Sequence, residues 1–224
     1  KTAYGFPMIA RWHDNMNRIC FEGSYGIVAE FIEELPEDVL FLDIGANQGC
    51  TSIIASKVFK KNKSSIGAVM AYEPSSSIFN LMKKNISLNF CNNIHTFNKA
   101  VASVESELFL NESNPGNSGG SHISDKGNSV IAGPVKVDDV KAIGKYNDIY
   151  VKIDTEGYEM SVLNGLEELF EAKLIRKLII EIDENHLMKY GNNSSQIYDH
   201  LINKGYKPTI GIQKGHYDEV FVEK

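Results

Sequence analysis

Residues 40–55 read LFLDIGANQGCTSIIA, an apolar run that halts at Asp43, turns through Gly45 and Gly49, and resumes with apolar residues at helical spacing. A strand that passes through a glycine turn into a helix commits the chain to return across one face of a sheet, and here the pattern recurs. GAVMAYEP at 67–74 reads as a second strand stopped by Pro74, SSSIFNLMKKNISLN at 75–89 as a helix with serines at its cap, and IHTFNKAVA at 94–102 as a third strand. DIYVKID at 148–154 gives a fourth strand, MSVLNGLEELFEA at 160–172 a helix, and LIRKLIIEI at 174–182 a fifth strand. A helix near 194–204 follows, and residues 206–224 read as a closing hairpin with Gly215 in its turn. This order predicts an α/β, doubly wound, mostly parallel sheet with right-handed crossovers.

Two segments stand outside the alternation. Residues 1–36 form a cap segment of the same domain, in which Gly5, Pro7 and the short alternations MIARW and RICFEG predict a small β-hairpin over 5–22, then a helix near 25–35. Residues 37–224 carry the main fold. The polar stretch NESNPGNSGGSHISDKGNS at 111–129 has almost no apolar anchor, and it reads as a functional loop or plain disorder, mobile until a ligand arrives.

Composition narrows the partners. A chain of 224 residues with 42% hydrophobic content suits one α/β domain. The net charge of −6 leaves no footprint for a polyanion, and the one lysine-rich run, KVFKKNK at 57–63, reads as a solvated helix end, so nucleic acid is not expected as a partner. Cys20, Cys50 and Cys91 lie far apart without metal-ligand spacing, as expected of small buried hydrophobes in a reducing, cytoplasmic setting. No run approaches the ~18 apolar residues of a membrane span, and no secretory leader is visible. The chain begins at Lys1 without a methionine, which leaves room for sequence upstream. Without a leader, the sequons at Asn62, Asn85, Asn111, Asn192 and Asn193 read as accidents of composition.

The turn at 45–49 discriminates among ligands. GANQGCT is one residue short of a nucleoside-triphosphate loop and lacks its lysine. A dinucleotide turn requires glycine where Asn47 stands, so that the backbone can approach a pyrophosphate. The pattern D-x-G-x-x-x-G instead sets an acid before the turn, where it can face a cationic amino-acid portion, and S-adenosylmethionine has one.

At this point the chain resembles the FkbM-type S-adenosylmethionine-dependent methyltransferases. The resemblance runs from about residue 20 to 182 and is carried by LDIGANQG, AYEPSSSIFNLMKKNISLN, NSGGSHI and VKIDTEGYEMSVLNG…LIIEI. It implies the class I methyltransferase fold, Rossmann-like, with seven strands and an antiparallel last strand. It also implies O-methylation of a sugar, glycan or natural-product hydroxyl, with S-adenosylhomocysteine as the product.

These blocks predict roles along the carboxyl edge of the sheet, where ligands bind in open α/β folds. Glu73 would accept hydrogen bonds from the ribose hydroxyls, beside Pro74. Asp43 would orient either the methionine ammonium or the turn itself. Gly45, Asn47 and Gly49 would line the turn, and Ala100 and Val101 would neighbour the adenine.

Methyl transfer needs mainly positioning, which supplies up to ~7–11 kcal/mol in favourable systems. A sugar hydroxyl also needs a base, whose contribution is typically ~10²–10⁴-fold. KIDTEGYE at 152–159 is the expected source. Lys152 and Asp154 alternate onto one strand face, Asp154 is the first choice for the base, Glu156 stands beside it, and Lys152 can pair with Asp154. His122 becomes a candidate if its loop closes over the site, whereas Glu159 suits the first turn of a helix. His186 could join Glu181 or Asp183 around a divalent ion, but the spacing matches no known ligand set, so a metal is admitted and not favoured. His13, beside Trp12 and Asp14, has no assignable partner. The rival function is a non-catalytic nucleoside- or partner-binding module, against which the joint presence of these acids and glycines argues. Protein or nucleic-acid methylation would need a basic groove or an amide-holding N-P-P-Y-like motif, and neither is present.

Overall fold

The computed structural model describes residues 1–9, 14–61, 65–113 and 117–224, without the side chains of 15–18. In chain order, helices α1 (Asn15–Glu22) and α2 (Gly26–Glu33) precede β1 (Leu40–Ile44), α3 (Cys50–Phe59), β2 (Ala68–Tyr72), α4 (Ser76–Leu88) and β3 (Ile94–Phe97). Four short strands follow: β4 (Ala100–Val101), β5 (Ser106–Asn111), β6 (His122–Ser124) and β7 (Asn128–Gly133). The chain then runs through α5 (Val137–Ile143), β8 (Ile149–Ile153), α6 (Glu159–Gly165), α7 (Glu167–Glu171), β9 (Ile175–Asp183), α8 (Glu184–Met188), α9 (Ser194–Asn203), β10 (Tyr206–Pro208) and β11 (His216–Glu223).

The main sheet has the order β10-β11-β9-β8-β1-β2-β3. β1 pairs in parallel with both β2 and β8, and β11 runs antiparallel to β9 and to β10. Because β1 and β2 are buried along their whole length, their sequences are continuous apolar runs instead of alternating ones. Alternation still sorts the faces. Leu40, Leu42 and Ile44 pack with Val162, Leu163, Ile197 and Leu201 from α6 and α9. Phe41, one step out of phase, packs with Ile53, Ile54 and Phe59 of α3 and with Val28, Phe31 and Ile32 of α2.

The expected N-terminal hairpin is corrected. RICFEG lies largely in α1, which Gly23 ends at φ +80°, and Cys20 is buried in the α3-side core. A few residues of alternation do not separate a strand from a helix when burial of one face decides the outcome. Trp12, His13 and most of MIARW lie outside the described residues, as does the sequon at Asn62. Asn85 is fully buried and ties the N-terminal segment down: its Oδ1 accepts from Ile9 N (2.7 Å), and its Nδ2 donates to Ile9 O (3.2 Å) and Gln48 O (3.0 Å).

Two other expectations change. IHTFNKAVA is not one strand. The chain leaves the main sheet after Phe97 and β4 joins a second sheet, of order β4-β7-β5-β6. The described residues of the polar stretch at 111–129 belong to that sheet through β5, β6 and β7, with a 3₁₀ turn at Ser118–Gly120. What it lacks in apolar anchors it replaces with long-range polar ones. Ser118 is buried; its backbone N–H donates to Asp14 Oδ1 (3.2 Å), its hydroxyl donates to Asn47 Oδ1 (3.2 Å), and it accepts from Gln48 Nε2 (3.4 Å). Among the described residues, no helix is long and apolar enough to cross a membrane.

Candidate active site

The glycine turn is shaped by two close approaches. Gly45 has φ +80°, and a Cβ there would stand 1.8 Å from the carbonyl oxygen of Asp154, so only glycine lets the turn after β1 meet the end of β8. Gly49, at φ +84°, begins α3, and a Cβ there would meet Met82 Cγ at 2.8 Å. Gly45 N and Ala46 N both donate to Tyr72 O, which fastens the turn to the end of β2.

Asp43 acts beneath this turn. Fully buried, it accepts from Thr51 Oγ1 (2.7 Å) and Ser52 Oγ (2.5 Å) in the first turn of α3, and its other oxygen lies 3.5 Å from Lys152 Nζ. Neither Asp43 nor Gly49 lines the cavity above the sheet edge. Gly45, Asn47, Glu73, Pro74, Ala100 and Val101 do, around a volume of about 390 Å³. Glu73 ends β2 with both oxygens engaged: Asn47 N donates to Oε2 (3.0 Å) and Ser75 N to Oε1 (2.8 Å). Burial pushes its pKa up to about 7, and these two N–H groups and Lys152 oppose that rise.

The other half of the cavity is acidic. Lys152, Asp154, Glu156 and His122 line it, together with Glu181. Lys152 Nζ is 3.1 Å from Asp154 Oδ2 and donates to Gly45 O at 3.2 Å. Burial works against its charge, but Asp154 and Asp43 outweigh burial and hold the ammonium protonated. Glu156 has φ +56°, and burial together with the Asp154 charge raises it to about 7. His186 Nδ1 is 2.8 Å from Glu156 Oε2 without the alignment of a hydrogen bond. Glu181 is raised to about 8, again by burial and then by Asp154, while His216, 2.9 Å away, opposes the rise. Glu159 is buried apart from these groups; its Oε1 accepts from Thr155 N, Thr155 Oγ1 and Gly157 N, which closes the turn into α6. His122 Nδ1 lies 3.2 Å from Gly120 O.

Asp154, Glu156 and Glu181 each bring one oxygen within 4.8 Å of the others, and this is where the described residues could gather a cation. Lys152 already stands on Asp154 and His216 on Glu181, so the donor set calls for none, and we assign no metal.

Among the lining residues that sequence reasoning missed are Tyr25 of the cap, Tyr158, His216 and Asp218. The last two alternate on β11, whose antiparallel register sets His216 opposite Asp183 and Asp218 opposite Glu181. HYDEVFVE carries that alternation in plain view, but only the pairing with β9 shows which edge it meets.

The model of the methyltransferase FkbM domain family matches residues 43–208. Among solved structures, a methyltransferase FkbM from Methylobacillus flagellatus KT superposes with a TM-score of 0.53 at 17% identity, covering 84% of this chain and 44% of that one. A precorrin-6y C5,15-methyltransferase from Geobacter metallireducens GS-15 also superposes at 0.53, with 11% identity over 100% of this chain and 96% of that one. At these identities the likeness bears on fold alone. No curated protein sequence matches the chain.

Proposed function

The chain belongs to the FkbM methyltransferase family and is an S-adenosylmethionine-dependent methyltransferase, and from that premise we propose that it O-methylates a hydroxyl of a sugar-like, polyhydroxylated acceptor. One observation carries the reading: a single cavity joins the glycine turn and Glu73 to a cluster of acids at the ends of β8 and β9. S-adenosylmethionine supplies a methyl group already activated by its sulfonium.

On the cofactor side, Glu73 would hold the ribose hydroxyls, since each of its oxygens keeps a lone pair beyond its one backbone N–H. Gly45 would admit the methionine portion, and Ala100 and Val101 would flank the base. Asp43 would act through the turn, because Thr51, Ser52 and Lys152 surround it. On the acceptor side, Asp154 would orient the hydroxyl, its angle set by Lys152. The roof contributes Asn117, Ser121 and His122, hydrogen-bonding groups suited to a polyhydroxylated acceptor. The acidic lining and the net charge of −6 support a small-molecule or glycan acceptor over nucleic acid. Three free, buried cysteines support a reducing, cytoplasmic setting.

The test is calorimetry with S-adenosylmethionine and S-adenosylhomocysteine, followed by a mass-shift screen against sugars, glycosides and nucleotide sugars. Methylated sugar products are expected. A protein that binds neither nucleoside would end the reading.

A further inference from the structure

Four carboxylates line the acceptor half of the cavity: Asp154, Glu156, Glu181 and Asp218. A group that removes a proton at every turnover must also be able to lose it, so each is judged by where its proton could go next. Asp154, though its side chain is 35% exposed, is held in an ion pair: its Oδ2 lies 3.1 Å from Lys152 Nζ, whose own side chain is only 6% exposed, so a proton arriving on Asp154 would take a partner from a buried ammonium. Glu156 faces His186 without an aligned hydrogen bond. The Asp218 side chain makes no hydrogen bond among the described residues. Glu181 differs from all three. His216 Nε2 lies 2.9 Å from its Oε1 as an ion pair, and the His216 side chain is 57% exposed while that of Glu181 is 17% exposed. This one contact thus joins the cavity interior to bulk water.

We propose that Glu181 is the proton acceptor of the methyl transfer and that His216 is its positioning and relay residue. The inference rests on the O-methyl-transfer reading above. In the step, the acceptor oxygen forms a bond to the methyl carbon as the sulfur–carbon bond breaks, and that electron pair stays on sulfur. The hydroxyl proton passes to Glu181, and the His216 ring carries a proton out to solvent, so charge and atoms balance. Glu181 suits this work because its surroundings favour the proton it must take. The carboxyl groups of Asp154 and Glu156 approach it from the β8 side and that of Asp218 from β11; Lys152 and His216 are the basic groups that face it, and Asp183 lies 4.0 Å from His216 Nδ1. A base is most effective when its pKa lies near the working pH, and burial brings Glu181 to about 8.

The experiment has two arms. In the first, the His216 ring is titrated by NMR in the protein saturated with S-adenosylhomocysteine. Its midpoint is expected well above the ordinary histidine range, near the value of about 9 that Glu181 imposes, and Glu181→Gln should lower it by about one pH unit or more. A midpoint indifferent to Glu181→Gln overturns the pair, whatever the acceptor proves to be. In the second arm, methyl transfer from labelled S-adenosylmethionine to a mixture of methyl hexosides and 6-deoxyhexosides is followed. Glu181→Gln should lower kcat by ~100-fold or more with cofactor affinity held within about twofold. His216→Ala should lower it by roughly 10-fold and recover with added imidazole, a rescue that a merely structural histidine would not show. A Glu181→Gln protein with near-normal kcat, or a His216→Ala protein insensitive to imidazole, overturns the proposal. Failure of the unaltered protein to bind S-adenosylhomocysteine would refute the functional reading instead. If it binds the nucleoside but methylates none of these probes, the titration arm alone decides.

Discussion

Gly45 and Asp154 meet so closely that a methyl group on Gly45 would stand 1.8 Å from the Asp154 carbonyl oxygen. The contact is backbone to backbone, so no side-chain rotation can relieve it. Gly45→Ala should therefore combine the cost of an L-residue at φ +80° with displacement of the β8 end, about 3 kcal/mol in all. Urea denaturation checks this, and a midpoint like that of the unaltered protein would contradict the close approach.

Glu73→Ala should weaken S-adenosylhomocysteine binding by about 1.5–3 kcal/mol, the range for hydrogen bonds to a charged acceptor. Glu73→Gln should lose less, because one acceptor oxygen remains. Calorimetry on both variants tests the ribose assignment, which fails if the two bind as well as the parent.

The roof now has a different expected effect from the one a mobile loop would have. Ser118 bonds Asn47 and Gln48, residues of the cofactor turn itself. Ser118→Ala should weaken nucleoside binding by about 1 kcal/mol as well as raising the acceptor KM. If only the acceptor KM moves, the roof and the turn are independent.

Stability should fall as pH rises. Burial lifts Asp218 to about 6, Glu73 and Glu156 to about 7, and Glu181 to about 8, each above its unfolded value. The folded chain therefore binds more protons than the unfolded one across this window. The stability these acids contribute is full below the ordinary carboxylate range and is lost as pH climbs through their folded values. His216, raised to about 9, has the same sign. The melting temperature of the ligand-free protein should decline between pH ~5 and ~8.5, and Glu181→Gln should flatten the decline. A melting temperature that climbs over this window would contradict the assignment of buried, protonated acids.

The main sheet was legible because β1 and β2 are buried on both faces, and β8 and β9 over much of their length, so that they write apolar runs. Glycines also mark the one turn where a backbone must approach another. The second sheet was not legible. Its strands are short and one side faces solvent, and its 3₁₀ turn is held by Ser118 through partners 71 and 104 residues away, a distance at which no local pattern operates. Asp154, Glu156 and Glu73 could be read as cavity residues because each ends a parallel strand. His216 and Asp218 begin an antiparallel one, so their approach to the same edge depends on register with Glu181 and Asp183.

Lys152 has one consequence for how this chain can vary. A single buried ammonium serves Asp43, Asp154 and the Gly45 carbonyl. Removing Asp43 or Lys152 alone strands a charge in the interior, at a cost of about 3–5 kcal/mol, whereas exchanging the pair for apolar groups of similar volume is often nearly neutral. Asp43→Leu and Lys152→Met should each be severe, and the pair together should cost far less than their sum in a double-mutant cycle. Positions 43 and 152 are thus expected to change together. A lineage could leave this arrangement only by changing its members together, and drift at a single position would be purged before the next could follow.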